Sequence, residues 1–402
     1  MNLKKVALIL AFIAVTAGVG YLLYRFFFAA APPAVVTPPP VTGQPAGGGL
    51  PTAGQGVPTT PGGVTPPVGL PTASQVASGG PTQTTVVEQA PVLSPLITKS
   101  GNLNYYNQVD GKFYRQLTDG TVAAMSGKAF PDARSVEWSP QGDAAVIEFP
   151  DDTKVLYNFD TQKQVTLPKH WQDFSFSGDG KSIAAESIGI DESNRWLIDV
   201  ASDGSNANLI EPLGENADKV TVAYSPNNTV MAFSDTADPV GFDTRDMLVI
   251  GRNHENYKAI RVEGFDFTPL WSPSGDHLIF SAAGSIDSFK PVLWFVDAKG
   301  DSIGDNRTDL HVNTWADKCT FADEATVYCA VPDDLPEGAG LQRDIAADTP
   351  DGIYKIDLRS GRTVKIGQPD EPTSIKQVLV SQDGSKLFFT DASGIMKSMR
   401  LK

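Results

Sequence analysis

Val136-Glu137-Trp138-Ser139-Pro140-Gln141-Gly142 closes an apolar segment with an aromatic residue, a serine and a turn marked by proline and glycine. The pattern returns as Phe174-Ser175-Phe176-Ser177-Gly178-Asp179-Gly180, Val222-Ala223-Tyr224-Ser225-Pro226, Pro269-Leu270-Trp271-Ser272-Pro273-Ser274-Gly275, Cys319-Thr320-Phe321-Ala322 and Val378-Leu379-Val380-Ser381-Gln382-Asp383-Gly384. Apolar strand-like runs follow it at residues 144–149, 230–233, 277–280 and 386–389. A further strand ends in aspartate at Asp160, Asp199, Asp297 and Asp357, with Gly204, Gly300 and Gly361 in three of the turns that follow. Self-similarity at a fixed period means stacked units, none of which buries its apolar face alone.

The spacing of the turn position (139, 177, 225, 272, 322 and 381) runs 38, 48, 47, 50 and 59. Four short strands per unit of that length predict an all-β fold, a β-propeller of four-stranded blades. A weaker leading unit, strands 103–106 and 112–117, precedes the six copies, and the last unit ends after three strands at 377–380, 386–390 and 395–401. Residues 84–88 are placed to supply the missing strand and close the ring, which removes exposed sheet edges. The count is seven blades, with six as the alternative.

Composition divides the rest of the chain. Lys4 and Lys5 precede an uncharged apolar run from 6 to 23, and Arg25 follows it. About 20 apolar residues cross a bilayer core, and the positive-inside bias leaves the lysines cytoplasmic. The sequence therefore predicts a cytoplasmic stub (1–5), a transmembrane anchor (6–28), a disordered Pro/Gly/Thr-rich linker (29–84) and the propeller (85–402). A cleaved signal peptide is the alternative reading of the same run, with Ala29-Ala30-Ala31 as the small residues. No charge occurs between residues 31 and 87. Such a segment cannot offset its ordering entropy by burial, and it spans on the order of 40 Å as flexible coil. The expected localisation is a single-pass membrane protein with its propeller outside the cytoplasm, periplasmic or at the cell surface.

The formal charge of −15 becomes −18 once Lys4, Lys5 and Arg25 are set aside. That repels phosphate backbones, so nucleic acid is not an expected partner. Cys319 and Cys329 are the only cysteines, and they flank the turn 322–325 symmetrically. Directly opposed residues on antiparallel strands lie within disulfide reach, and an exported location permits oxidation.

Trp271-Ser272-Pro273-Ser274-Gly275-Asp276-His277-Leu278-Ile279-Phe280 and Phe176-Ser177-Gly178-Asp179-Gly180-Lys181-Ser182-Ile183 resemble the repeat of the TolB-like (WD40-like) β-propeller family. The resemblance covers about residues 95–402 and implies a propeller. In that family it implies docking to envelope proteins or the gating of serine peptidases. The expectation for this chain is an anchor and tether where TolB has a small α/β domain, with no hydrolase domain after the last strand.

No nucleophile elbow, zinc-protease motif or phosphate-binding glycine loop is present. His170, His254, His277 and His311 fall in different units with no ligand spacing. Asp297, Asp301, Asp305 and Asp309 recur every four residues but lack a calcium-loop pattern. Neither a metal nor another cofactor is expected. The long connections between second and third strands (188–195, 235–245, 282–290 and 332–352) should converge on one face, where loops on a rigid scaffold carry binding. Phe242, Arg245, Phe289, Lys290, Leu341 and Arg343 are the candidate partner-binding residues, because aromatic, apolar and arginine side chains anchor interfaces. The leading expectation is a membrane-anchored, non-enzymatic module that binds a protein or peptide of the cell envelope. The alternative is a propeller enzyme or small-molecule binder using the central channel. Val136, Trp138, Phe174, Val222 and Leu270 on the innermost strands weigh against that alternative.

Overall fold

The computed structural model describes residues 72–402 apart from 256, together with Thr16, Gly18 and Val19. The stub, the anchor and the linker up to residue 71 lie outside the described residues, bar those three. Among the described residues no helix is long and apolar enough to cross a membrane.

Seven four-stranded antiparallel units follow one another along the chain. Five are consecutive meanders opening with Ser135–Trp138, Trp171–Phe176, Val220–Val222, Phe265–Trp271 and Cys319–Asp323, here blades two to six. Blades one and seven share the long strand Thr84–Ile97, which bends at two register shifts. Its first half pairs with Ile395–Arg400 as the outer strand of blade seven, matching Thr84 with Met399 and Thr85 with Ser398. Its second half pairs with Leu103–Asn107 as the inner strand of blade one. The strand expected to close the ring therefore does so. Upstream, Pro81–Thr82 adds a parallel fifth strand to blade six, and the Ala77 amide donates to Arg400 O at 2.9 Å.

The repeated serine has a direct structural cause. Its Oγ folds back to accept the backbone N–H that starts the next strand: Ser139 from Ala144 at 3.2 Å, Ser177 from Ser182 at 3.0 Å and Ser225 from Val230 at 2.9 Å. Ser272 accepts from His277 at 3.2 Å and Ser381 from Lys386 at 2.9 Å. The glycine of the turn takes a left-handed φ, +69° at Gly142 and +75° at Gly275, which costs a residue without Cβ nothing. Blade six carries Ala322 at this position, so its hairpin lacks the hydroxyl bond.

Seven apolar clusters lie between neighbouring blades. Tyr106 and Phe113 of blade one meet Val136, Trp138 and Ile147 of blade two. The series ends with Met396 of blade seven against Val92, Leu103 and Tyr105 of blade one. Blade faces are buried only by neighbours, and each fully buried large apolar side chain contributes about 1.5–3 kcal/mol. Cooperativity thus runs around the ring, which holds the inner strands at fixed spacing.

Candidate functional site

In each meander the inner strand begins at the end where the second strand finishes. The pairing of Gln172 with Glu186, and of Trp171 with Ser187, shows this in blade three. The long connections after the second strands therefore rise on the face where the inner strands start, opposite the serine turns.

On that face the loops of blades four to six are tied together. Asp243 Oδ2 accepts from the Ser285 amide at 2.7 Å, and the Gly340 amide donates to Phe289 O at 2.8 Å. Arg245 is ion-paired with Asp235 and its guanidinium lies 4.4 Å over the Phe265 ring. Phe289, at φ +54°, brings its ring to 6.5 Å from the same Phe265. Arg343 makes a two-pronged pair with Asp317 at 2.6 and 2.9 Å and stacks 4.7 Å over Trp315. Phe242 and Leu341 project outward, 86% and 54% exposed. Lys290 lies apart, beside His311 and Asp333 in a cleft of about 290 Å³ between blades five and six. The six expected residues thus lie in four places: Arg245 and Phe289 at Phe265, Arg343 at Trp315, Lys290 in its cleft, and Phe242 and Leu341 outward.

The inner strands carry a pattern that reading the aromatic positions misses. Counting back four residues from the turn position, which is Thr98 in blade one, gives Ser94, Ser135, Asp173, Thr221, Thr268, Lys318 and Gln377, every one polar. Counting back two gives Leu96, Glu137, Ser175, Ala223, Leu270, Thr320 and Leu379, all half-buried, with a single ionisable member. Val136, Trp138 and Phe174 instead point into the cores between blades. The signal was available in the sequence as an offset from the turn serine.

β-Bulges interrupt five of the seven inner strands, between Leu93 and Leu96, Gln172 and Ser175, Phe265 and Thr268, Phe321 and Asp323, and Ile375 and Gln377. In three of them a residue other than glycine takes the left-handed region: Ser94 at φ +46°, Asp173 at +53° and Asp266 at +58°. Bulges re-aim side chains and recur beside functional sites, and left-handed backbone away from glycine is a local cost that the surrounding sheet must hold in place.

Carboxylates dominate the side formed by blades two and three. Burial pushes the Glu137 carboxyl up to about 8 against the bond it accepts from the Phe176 amide of the next blade, and Glu148 adds to the rise. Glu186, only 1% exposed, is raised to about 7, chiefly by desolvation and further by Asp173 and Asp218. Asp173 is raised as well, by desolvation and then by Glu148. Glu186 Oε2 accepts from Gln172 Nε2 at 3.2 Å, whereas its Oε1 is buried without a donor among the described residues.

Across the mouth, blade six pairs its charges. Lys318 Nζ reaches both oxygens of Asp351 at 2.6 and 2.8 Å, and Asp351 also accepts from the Ile375 amide at 2.6 Å. The Lys318 and Asp351 side chains are 6% and 0% exposed. Burial lowers the lysine and raises the aspartate despite their pairing, because desolvation outweighs the attraction. Asp266 is raised by desolvation, with Arg343 opposing.

Among the described residues no group of three or more His, Cys, Asp or Glu side chains is disposed to hold a metal ion. His277 sits 3.2 Å from Asp297 and His311 3.0 Å from Asp309, in separate places. Cys319 and Cys329 are directly opposed on the first two strands of blade six, with Cα atoms 4.0 Å apart, and are disulfide-bonded.

No family model and no curated protein sequence matches the chain. Solved structures do. An oligogalacturonate lyase in complex with manganese superposes with a TM-score of 0.55 at 12% identity, over 79% of this chain and 93% of that one. An oligogalacturonate lyase from Vibrio parahaemolyticus gives 0.53 at 10%, over 79% and 93%. At such identities the likeness establishes the fold alone, and it corrects one expectation. A non-enzymatic protein- or peptide-binding module was expected from the tether, the absence of a catalytic motif and the loop-rich face, with apolar inner strands weighing against the channel. Two solved propellers of about this extent are oligogalacturonate lyases, and every blade here carries a polar residue four places before the turn position. That expectation is withdrawn. The chain is a β-propeller, like those lyases.

Proposed function

We propose that the protein is a propeller enzyme or small-molecule binder that takes a polar ligand at the channel mouth on the long-loop face. The observation that carries this reading is the polar ring Ser94, Ser135, Asp173, Thr221, Thr268, Lys318 and Gln377 above a waist with one ionisable residue, Glu137. Polar groups converging at a concave, rigid opening, with carboxyls displaced from their ordinary range, are the usual mark of a ligand site. The manganese of one structural neighbour does not carry over, because the donor set for such an ion is not assembled among the described residues. No step is assigned to a metal.

We further propose that the repeats are of the TolB-like kind and that the propeller is exported and tethered through residues 6–28. Lys4 and Lys5 before the apolar run support the orientation, and the Cys319–Cys329 bond suits an oxidising compartment. The direct test is equilibrium dialysis of the full chain against a mixture of polar metabolites, with bound species identified by mass spectrometry. A species retained by the wild type and lost on Thr268→Val with Gln377→Ala supports the mouth. Retention by that double variant, or retention of nothing, would reject it.

A further inference from the structure

The corner of the mouth at blade three contains a buried acceptor that nothing in the fold uses. Glu186 stands on the second strand directly opposite Gln172 of the inner strand, and Gln172 satisfies only its Oε2. Oε1 is buried and unpartnered. A glycine or alanine would complete the sheet at this position without the cost of a buried carboxyl, which is several kcal/mol when uncompensated. Beside it, the bulge turns Asp173 to φ +53° and brings a second carboxyl against the first.

The groups facing the pair are few. Asp218, on the short helix Gly214–Lys219, adds negative charge. Glu148 and Lys154 of blade two face Asp173. Lys154 lies 4.0 Å from Glu148 and donates to Lys169 O at 2.8 Å, and Arg134 lies 3.4 Å from Glu148. Both local cations thus lean on Glu148. Asp173, Glu186 and Asp218 have no ion-pair partner among the described residues.

We propose that Asp173 and Glu186, oriented by Gln172, form an ammonium-binding site that receives the cationic group of the mouth's ligand. This deepens the channel-mouth reading and rests on it. An ammonium supplies what the site lacks: positive charge between two carboxyls and N–H donors for Oε1. A hydroxyl supplies the donor but not the charge. Before binding, the pair holds one proton between its carboxyls, since two adjacent carboxylates do not both ionise readily. Ammonium binding displaces that proton to solvent, so affinity rises with pH until the pair is ionised.

The test is calorimetric titration of the full chain with 1,5-diaminopentane, and in parallel with 1,5-pentanediol of the same length. The diamine should bind at pH 8 and roughly a hundredfold more weakly at pH 5, releasing close to one proton. The diol should not bind measurably. Glu186→Gln should weaken diamine binding at pH 8 at least tenfold and abolish its pH dependence. Asp173→Asn, at an exposed position, should weaken it without disturbing the fold. Equal binding of the diol, unchanged diamine affinity in both variants, or no diamine binding would overturn the proposal. A metabolite retained through Thr268 and Gln377 while the diamine fails would overturn this inference and leave the channel mouth standing.

Discussion

The two halves of the channel mouth solve the same electrostatic problem in opposite ways. Blades four and six bring charges inward and pair them: Lys318 with Asp351, Arg343 with Asp317, and Arg245 with Asp235. Blades two and three bring carboxyls inward and leave Glu137, Asp173 and Glu186 without counter-ions, so their protons are held more tightly instead. Pairing consumes a charge in holding the scaffold. A carboxyl kept near neutrality keeps its capacity to exchange a proton or accept a donor. The difference separates residues that fix the ring from residues able to act on something entering it.

The largest break in this comparison should come from Lys318→Met. It strands Asp351 in the core with only the Ile375 amide, and should cost about 3–5 kcal/mol in urea denaturation. Adding Asp351→Leu should restore most of that loss, because two apolar residues replace a pair whose burial is already expensive. A single variant as stable as the wild type would show that the paired half is not structural.

The next effect is on the opposite half and has the opposite sign. Glu137 binds its proton more tightly folded, up to about 8, than its ordinary 4.5. The folded state therefore holds the extra proton between about pH 4.5 and 8, and stability falls as pH rises through that window. Glu137→Gln should leave stability unchanged at pH 5 and raise it at pH 9 by on the order of 2 kcal/mol, read from the melting temperature at each pH. A variant equally destabilised at both would place Glu137 with the structural charges. The smallest effect is expected for Arg343→Ala. Its pair is about half exposed, so about 1 kcal/mol or less should be lost, and less again in high salt.

The fold was legible because one local bond repeats. A serine hydroxyl capping the next strand demands the same residue in nearly every blade, and aromatic neighbours fill the same space between blades. The mouth was harder to read for two reasons. Attention to Val136, Trp138 and Phe174 followed the parity that faces the cores, whereas Glu137 and Asp173 lie on the other parity. Bulges then shift the register, so Asp266 reaches the mouth from two residues before the ring position held by Thr268. Pairings such as Lys318 with Asp351 join strands through loop lengths that no local pattern encodes. For the six loop residues, the sequence does not reveal that Arg245 and Phe289 gather at Phe265 while Lys290 sits in a seam.

The shared strand Thr84–Ile97 also sets a schedule. Thr84 and Thr85 find their strand partners only in Met399 and Ser398, so the first half of a strand made before every blade waits for nearly the last. Closing a loop of that size costs roughly 5 kcal/mol of chain entropy, recovered only when both ends meet. Until then residues 84–91 offer an unpaired edge to any passing strand. The nascent molecule therefore has a long vulnerable interval and a late, abrupt completion. A holdase that shields this one strand would influence yield more than any catalyst of turn formation.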